Sequence, residues 1–278
     1  MVAAGCWATL YPDRPRQHAP VLGGYPRNMS GALPTLVVIG AMKCGTSALH
    51  RYLAAHPQVQ MSEPKELNFF FGPEPGTNSA WSQAESWDIG HWHRGPAWYA
   101  RHFDSAMPVR GESSPGYTSP DHPEVAARMA SVVPDVRLLC LVRDPLERAL
   151  SQYAHHRREG AERLSVAQAL LDPDSQYVTR SRYAERLEPF LDHFPATALL
   201  VVVQERLLTD RRGQMRAVLG HVGADPDWDS DALDSRIHVG DSAPAISDEV
   251  RAEFEERVAD DVSRVCDLVG DDLPEWSC

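Results

Sequence analysis

Thr35-Leu36-Val37-Val38-Ile39-Gly40-Ala41-Met42-Lys43-Cys44-Gly45-Thr46-Ser47-Ala48-Leu49-His50-Arg51 passes from a strand through a glycine loop into a helix. Leu36 to Ile39 is a short apolar, β-branched run, the pattern of a strand buried on both faces. Glycines at 40 and 45 supply residues where the chain must turn tightly or let a ligand reach its backbone. Thr46 and Ser47 open a helix, with Ala48, Leu49, Tyr52 and Leu53 as its inward stripe. A strand, a glycine loop and a helix N-terminus make an anion site, because free backbone N–H groups converge where the helix dipole is positive. Read as a Walker A loop, the segment fits at Gly40, Gly45 and Ser47, but Thr46 stands where the lysine belongs and Lys43 lies three residues earlier. The reading is a phosphate cradle that is not an ATPase cradle.

Composition bounds the rest. A chain of 278 residues is long enough for one large α/β domain with a full core. The expected organisation is a flexible N-terminal extension over 1–33 and a single domain over 34–278. No stretch approaches the roughly 20 apolar residues of a membrane span, and 1–33 lacks the apolar core and cleavage site of a secretory signal. Lys and Arg number 27 against 39 Asp and Glu, a net charge of −12. That balance argues against nucleic acid or an anionic membrane surface as partner, yet leaves room for a local cluster of donors around an anionic ligand. Five scattered cysteines without a C-x-x-C pair point away from a disulfide framework or zinc site and toward the cytoplasm.

Three more apolar runs read as strands: Val59 to Met61, Leu138 to Val142 and Leu199 to Val203, with a strand end at Val109 to Ser113. Asp144-Pro145 stops the second of these and caps a helix, proline sitting at the first helical position. Arg143, a guanidinium between strand end and helix, is suited to fork onto a phosphate, and Ser151 follows about two helical turns on. Further helices are expected over 165–171 and 181–193, and from Ser247 to Val269 with Ser247 as N-cap. Glu66 leads into Phe69, Phe70 and Phe71; a carboxylate on an apolar anchor, partly shielded from water, suits a general base. Residues 72–103 read as a long loop rich in tryptophan, whose aromatics either bind a flat ligand or pin the loop to the body.

Lys43-Cys44-Gly45-Thr46-Ser47 after a buried strand resembles the K-x-G-T-[ST] 5′-phosphosulfate loop of sulfotransferases that use 3′-phosphoadenosine 5′-phosphosulfate (PAPS). Val142-Arg143-Asp144-Pro145 through Arg148 and Ser151 resembles the same family's 3′-phosphate motif, V-R-D-P-x-x-R-x-x-S, at every fixed position. Glu66-Leu67-Asn68-Phe69-Phe70 resembles the base segment of the heparan sulfate type, and Gly95 to Phe103 its G-x-x-W-Y-x-x-x-F segment. The resemblance covers about 34–270. It implies a P-loop-like, three-layer α/β/α fold with a mainly parallel sheet, PAPS as co-substrate without a required metal, Glu66 as base and Lys43 stabilising the leaving phosphate. It also implies Lys43, Cys44, Gly45, Thr46, Ser47, Arg143 and Ser151 as cofactor-binding, with Gly240 and Ser242 from a loop that usually closes on the cofactor. The acceptor would be a hydroxyl of a sugar, glycolipid or secondary metabolite. This chain departs from the pattern at Ser113, where several members carry a lysine, so that either Lys43 acts alone or another basic residue compensates. It departs again in 235–243, which offers Gly240, Ser242 and Arg236 where the family has lysine and arginine. Two other classes remain open: a magnesium-dependent kinase or NTPase using Ser47 and Asp144, and a non-catalytic binding protein with a decayed site.

Overall fold

The computed structural model describes residues 32–75, 90–235, 237 and 243–276. Residues 1–31 of the extension expected over 1–33, Trp81, Trp87, and the candidate residues Gly240 and Ser242 lie outside the described residues.

Five strands form one sheet: β1 (Leu36–Gly40), β2 (Val59–Met61), β3 (Val109–Ser113), β4 (Arg137–Val142) and β5 (Leu199–Val203), in the order β2-β3-β1-β4-β5. Every pairing is parallel, with Val37 opposite Glu112 on one side and Leu138 on the other, and Leu138 to Val142 in register with Leu199 to Val203. The central β1 is buried at all five residues. Since successive side chains point to opposite faces, both faces of the sheet are covered by helices, and the chain is α/β in three layers.

The connecting helices are α1 (Thr46–Ala54), α2 (Gly95–Ala100), α3 (Val125–Val132), α4 (Pro145–Arg158), α5 (Val166–Leu171), α6 (Gln176–Thr179), α7 (Tyr183–His193), α8 (Gln204–Thr209), α9 (Arg211–Val222) and α10 (Asp248–Val269). Asp144 caps α4 by accepting the Glu147 N–H at 3.0 Å, with Pro145 following, and Ser247 caps α10 through the Val250 N–H. The stripe Tyr183, Leu187 and Phe190 of α7 turns into the main core. A second apolar cluster joins α4, α5, α6 and α10 through Leu146, Leu150, Leu170, Tyr177 and Phe254.

The expected long loop over 72–103 is corrected in its described part: residues 92–94 make a 3-10 turn and Gly95–Ala100 is a helix. Pro96 falls in the first turn, where its missing N–H costs nothing, and Tyr99 is buried. Among the described residues no helix is long and apolar enough to cross a membrane.

Candidate active site

Because all strands run parallel, the loops after Gly40, Met61, Ser113, Val142 and Val203 leave the same edge of the sheet. From β1 the chain goes on to build the β3/β2 side, and later the β4/β5 side, so β1 borders the place where the winding reverses. Ligands of such sheets bind in that crevice.

The first loop fills it. Gly40 has no room for a side chain: a Cβ there would stand 2.4 Å from Thr118 Oγ1. Ala41 then donates to Leu141 O at 2.8 Å, fastening the loop to β4. Lys43 adopts φ 69°, and Gly45 adopts φ 89° as N-cap of α1. Gly45 O accepts from the N–H groups of Ala48 and Leu49, so the helix begins just beyond it and the N–H groups of Thr46 and Ser47 fall in its open first turn. Cys44 turns the other way. Its N–H is spent on Ala41 O, and its buried thiol lies 3.5 Å from the Tyr183 hydroxyl, which donates to Arg143 O at 2.8 Å. Burial pushes the thiol up to about 11. This side chain therefore ties the loop to α7 and the end of β4, and the expected cofactor contact at Cys44 is not one its side chain is placed to make.

The second loop holds Glu66. It follows β2 and is latched onto β3: Ser62 N–H donates to Gly111 O at 2.7 Å and Glu66 N–H to Ser113 O at 3.1 Å. Glu66 has φ 66° and a side chain 38% exposed, ion-paired with Lys65. Beneath it Glu112 is wholly buried and accepts from Tyr99 Oη (2.6 Å), Ser114 Oγ (2.6 Å), Tyr117 Oη (2.8 Å) and the Leu67 N–H. Burial pushes the Glu112 carboxyl upward, while these donors pull it back. The same groups grip the loop, since Ser114 Oγ accepts from Asn68 N–H and Tyr117 Oη from Phe69 N–H. Phe69 stacks on Tyr99 with ring centroids 4.3 Å apart, and Trp92 packs on Phe69. The described aromatics of 90–103 thus pin the loop that carries Glu66, the pinning alternative of the two expected. His91 joins them, with Nδ1 2.8 Å from Leu67 O.

Arg143 leaves the end of β4 with Glu147 3.2 Å from its guanidinium, and Ser151 lies on α4, half-buried. Asp144, the metal candidate of the kinase alternative, has its N–H on Glu205 and its carboxylate on the α4 cap. Three features were given no role in sequence. Arg148 is entirely buried, its donors meeting Ser181 Oγ, Gln152 Oε1 and Tyr177 O, all neutral. Arg180 reaches from the end of α6 to Met42 Sδ in the first loop and to Asp121. His50, on α1, sets Nδ1 3.0 Å from the buried Ser113 Oγ, and burial with the Lys65 and Arg51 charges pushes the ring down to about 4. Arg148 belongs to the fixed R-D-P-x-x-R spacing, a signal that was present; His50 and Arg180 depend on partners 63 and 138 residues away.

The sequence model of the sulfotransferase family matches residues 34–230. The chain belongs to the sulfotransferase family. Its relatives include mouse heparan sulfate glucosamine 3-O-sulfotransferase 3B1, 29% identical over 232 residues that make up 80% of this chain and 54% of the mouse protein. Human bifunctional heparan sulfate N-deacetylase/N-sulfotransferase 3 is 28% identical over 75% of this chain and 24% of its own length. The chain thus spans about half the length of the first and a quarter of the second. A sulfotransferase structure from Alicyclobacillus acidocaldarius superposes with a TM-score of 0.71 at 27% identity, covering 89% of this chain and all of the other. In this family member the lysine loop, the glutamate loop and the Arg143 corner share one edge of the sheet.

Proposed function

We propose that this sulfotransferase moves the sulfuryl group of PAPS to an acceptor hydroxyl and releases adenosine 3′,5′-bisphosphate. The observation that carries the reading is the shared edge: Lys43 with the α1 N-terminus after β1, Arg143 after β4, and Glu66 on a loop latched to β3. Lys43, with the N–H groups and hydroxyls of Gly45, Thr46 and Ser47, holds the 5′ side and stabilises charge on the leaving phosphate oxygen. Arg143 and Ser151 hold the 3′-phosphate, Arg143 by a fork of charged hydrogen bonds. Glu66 takes the acceptor proton. Catalysis is then positioning and electrostatics, as in phosphoryl transfer, with no step assigned to a metal.

Asp144 and Thr46 weigh against the kinase alternative, the first committed to a helix cap and the second standing in the Walker lysine position. The relative named as a heparan sulfate 3-O-sulfotransferase favours a carbohydrate hydroxyl as acceptor. The test is turnover of PAPS with a panel of glycan and small-molecule acceptors. Lys43→Ala and Glu66→Gln are each expected to lower turnover at least ~10²-fold, the scale of one oxyanion donor or one general base. Near-normal turnover of either variant would remove that residue from the mechanism.

A further inference from the structure

The 27 basic residues of the chain comprise 25 arginines and two lysines, Lys43 and Lys65. Away from the ligand edge, arginine supplies the positive charge of described surface ion pairs such as Arg212 with Asp229 and Asp234 and Arg216 with Asp227. Both lysines fall on loops at the ligand edge of the sheet, one in the phosphate loop and one beside Glu66. Lysine differs from arginine as a compact charge with three rotatable donors on a flexible stem, able to pass from one oxygen to another, where a guanidinium is a fixed fork.

The surroundings of Lys65 fit a working charge. Its side chain is 22% exposed and its ammonium meets a Glu66 carboxylate oxygen. The backbone on either side is latched to β3 through Ser62 and Glu66, so the ammonium is delivered by a fixed support. His50, whose ring is pushed down to about 4 by burial and by the Lys65 and Arg51 charges, lies close enough on α1 to feel the Lys65 ammonium and adds no positive charge of its own at pH 7. An exposed ion pair of this kind is worth only about 0–1 kcal/mol to folding, so stability gives little reason for it.

We propose that Lys65 is a second catalytic cation of the transfer site, steadying the Glu66 carboxylate at rest and turning to the sulfuryl oxygens once that carboxylate is neutralised. This rests on the sulfuryl-transfer reading above. As the acceptor O–H breaks, its proton goes to Glu66 and its electron pair forms the new O–S bond; the old S–O bond breaks with its pair on the 5′-phosphate oxygen. Lys65 stays protonated throughout. Protonation of Glu66 removes its counter-charge at the moment negative charge shifts across the sulfuryl group, and the ammonium is then held only by what it can reach there.

The experiment uses the full chain and two readouts: calorimetric binding of adenosine 3′,5′-bisphosphate, and conversion of PAPS to the bisphosphate in the presence of the glycan and small-molecule acceptor panel. Lys65→Met is expected to bind the bisphosphate within ~twofold of the unmodified chain and to turn over at least ~10-fold more slowly, with part of the loss restored by added methylammonium. A smaller loss, or a loss that methylammonium leaves unchanged, would overturn the assignment. If Lys65→Met loses bisphosphate binding, Lys65→Gln is read by the same criteria, and loss of binding there too makes the residue structural and overturns it. An unmodified chain that does not bind the bisphosphate would instead remove the underlying reading. One that binds it yet leaves PAPS intact would refute both.

Discussion

Lys43 and Glu66 sit on different loops, yet both hold left-handed backbone, with φ of 69° and 66°. For a residue with a side chain that conformation costs on the order of 1–3 kcal/mol and persists only where neighbours over-determine it. The neighbours are visible: Ala41 and Gly45 bracket Lys43, and Ser113 O takes the Glu66 N–H. Gly40 shows the same economy of space at single-residue scale, since an added Cβ would stand 2.4 Å from Thr118 Oγ1 and 2.7 Å from its Cγ2. Gly40→Ala is expected to lower stability to urea by about 1–3 kcal/mol, the usual cost of overpacking. Thr118→Ala removes both close atoms, so the double variant should recover much of that loss. Strict additivity of the two changes would contradict the clash.

At the scale of elements, Glu112 shows how β3 serves the loop that carries the proposed base, Glu66. Its carboxyl gathers two tyrosines, a serine and the Leu67 N–H, and those same groups hold Asn68 and Phe69. Glu112→Gln is expected to lower turnover at least ~10-fold while leaving bisphosphate binding intact, because misplacing a base by an ångström is costly. The pH dependence has a definite sign. A carboxyl raised above its ordinary 4.5 in the folded state favours the protonated form there, so its stabilisation is full below 4.5 and is lost as pH rises through the folded value. The unfolding free energy of the wild type minus that of Glu112→Gln should therefore fall as pH climbs from 4. A difference that rises over that range would contradict the burial-driven shift.

The strands β1, β4 and β5 were legible because a strand buried on both faces is an unbroken apolar run. Asp144-Pro145 and Ser247 were legible because caps are local chemistry. Helix α3 gave no such signal, being eight residues between Pro123 and Pro134, and α2 hid behind Gly95-Pro96. At the site, Lys43, Arg143 and Glu66 could be named from short motifs. The pairs His50–Ser113 and Cys44–Tyr183 span 63 and 139 residues, and only the folded sheet edge brings them together.

At the scale of the molecule, a chain of net charge −12 concentrates cations around one loop. Arg143 and Arg148 both act on Cys44, Arg180 touches Met42, and the charges acting on the buried Arg148 include those of Arg180 and Arg143. Burying a guanidinium among neutral acceptors is costly unless an anion compensates it, and a nucleotide carrying phosphate at both ends is such an anion. In the proposed reaction this edge reads the 3′-phosphate as well as the 5′ side. The measurement is calorimetric titration of adenosine 3′,5′-bisphosphate and, separately, ADP into the protein with EDTA present, repeated with Arg143→Ala. The bisphosphate is expected to bind in preference to ADP, with binding weakened at least ~10-fold by Arg143→Ala, the loss of one or more charge-assisted hydrogen bonds at about 1.5–3 kcal/mol each. Equal binding of both nucleotides, or an Arg143→Ala affinity equal to wild type, would contradict it.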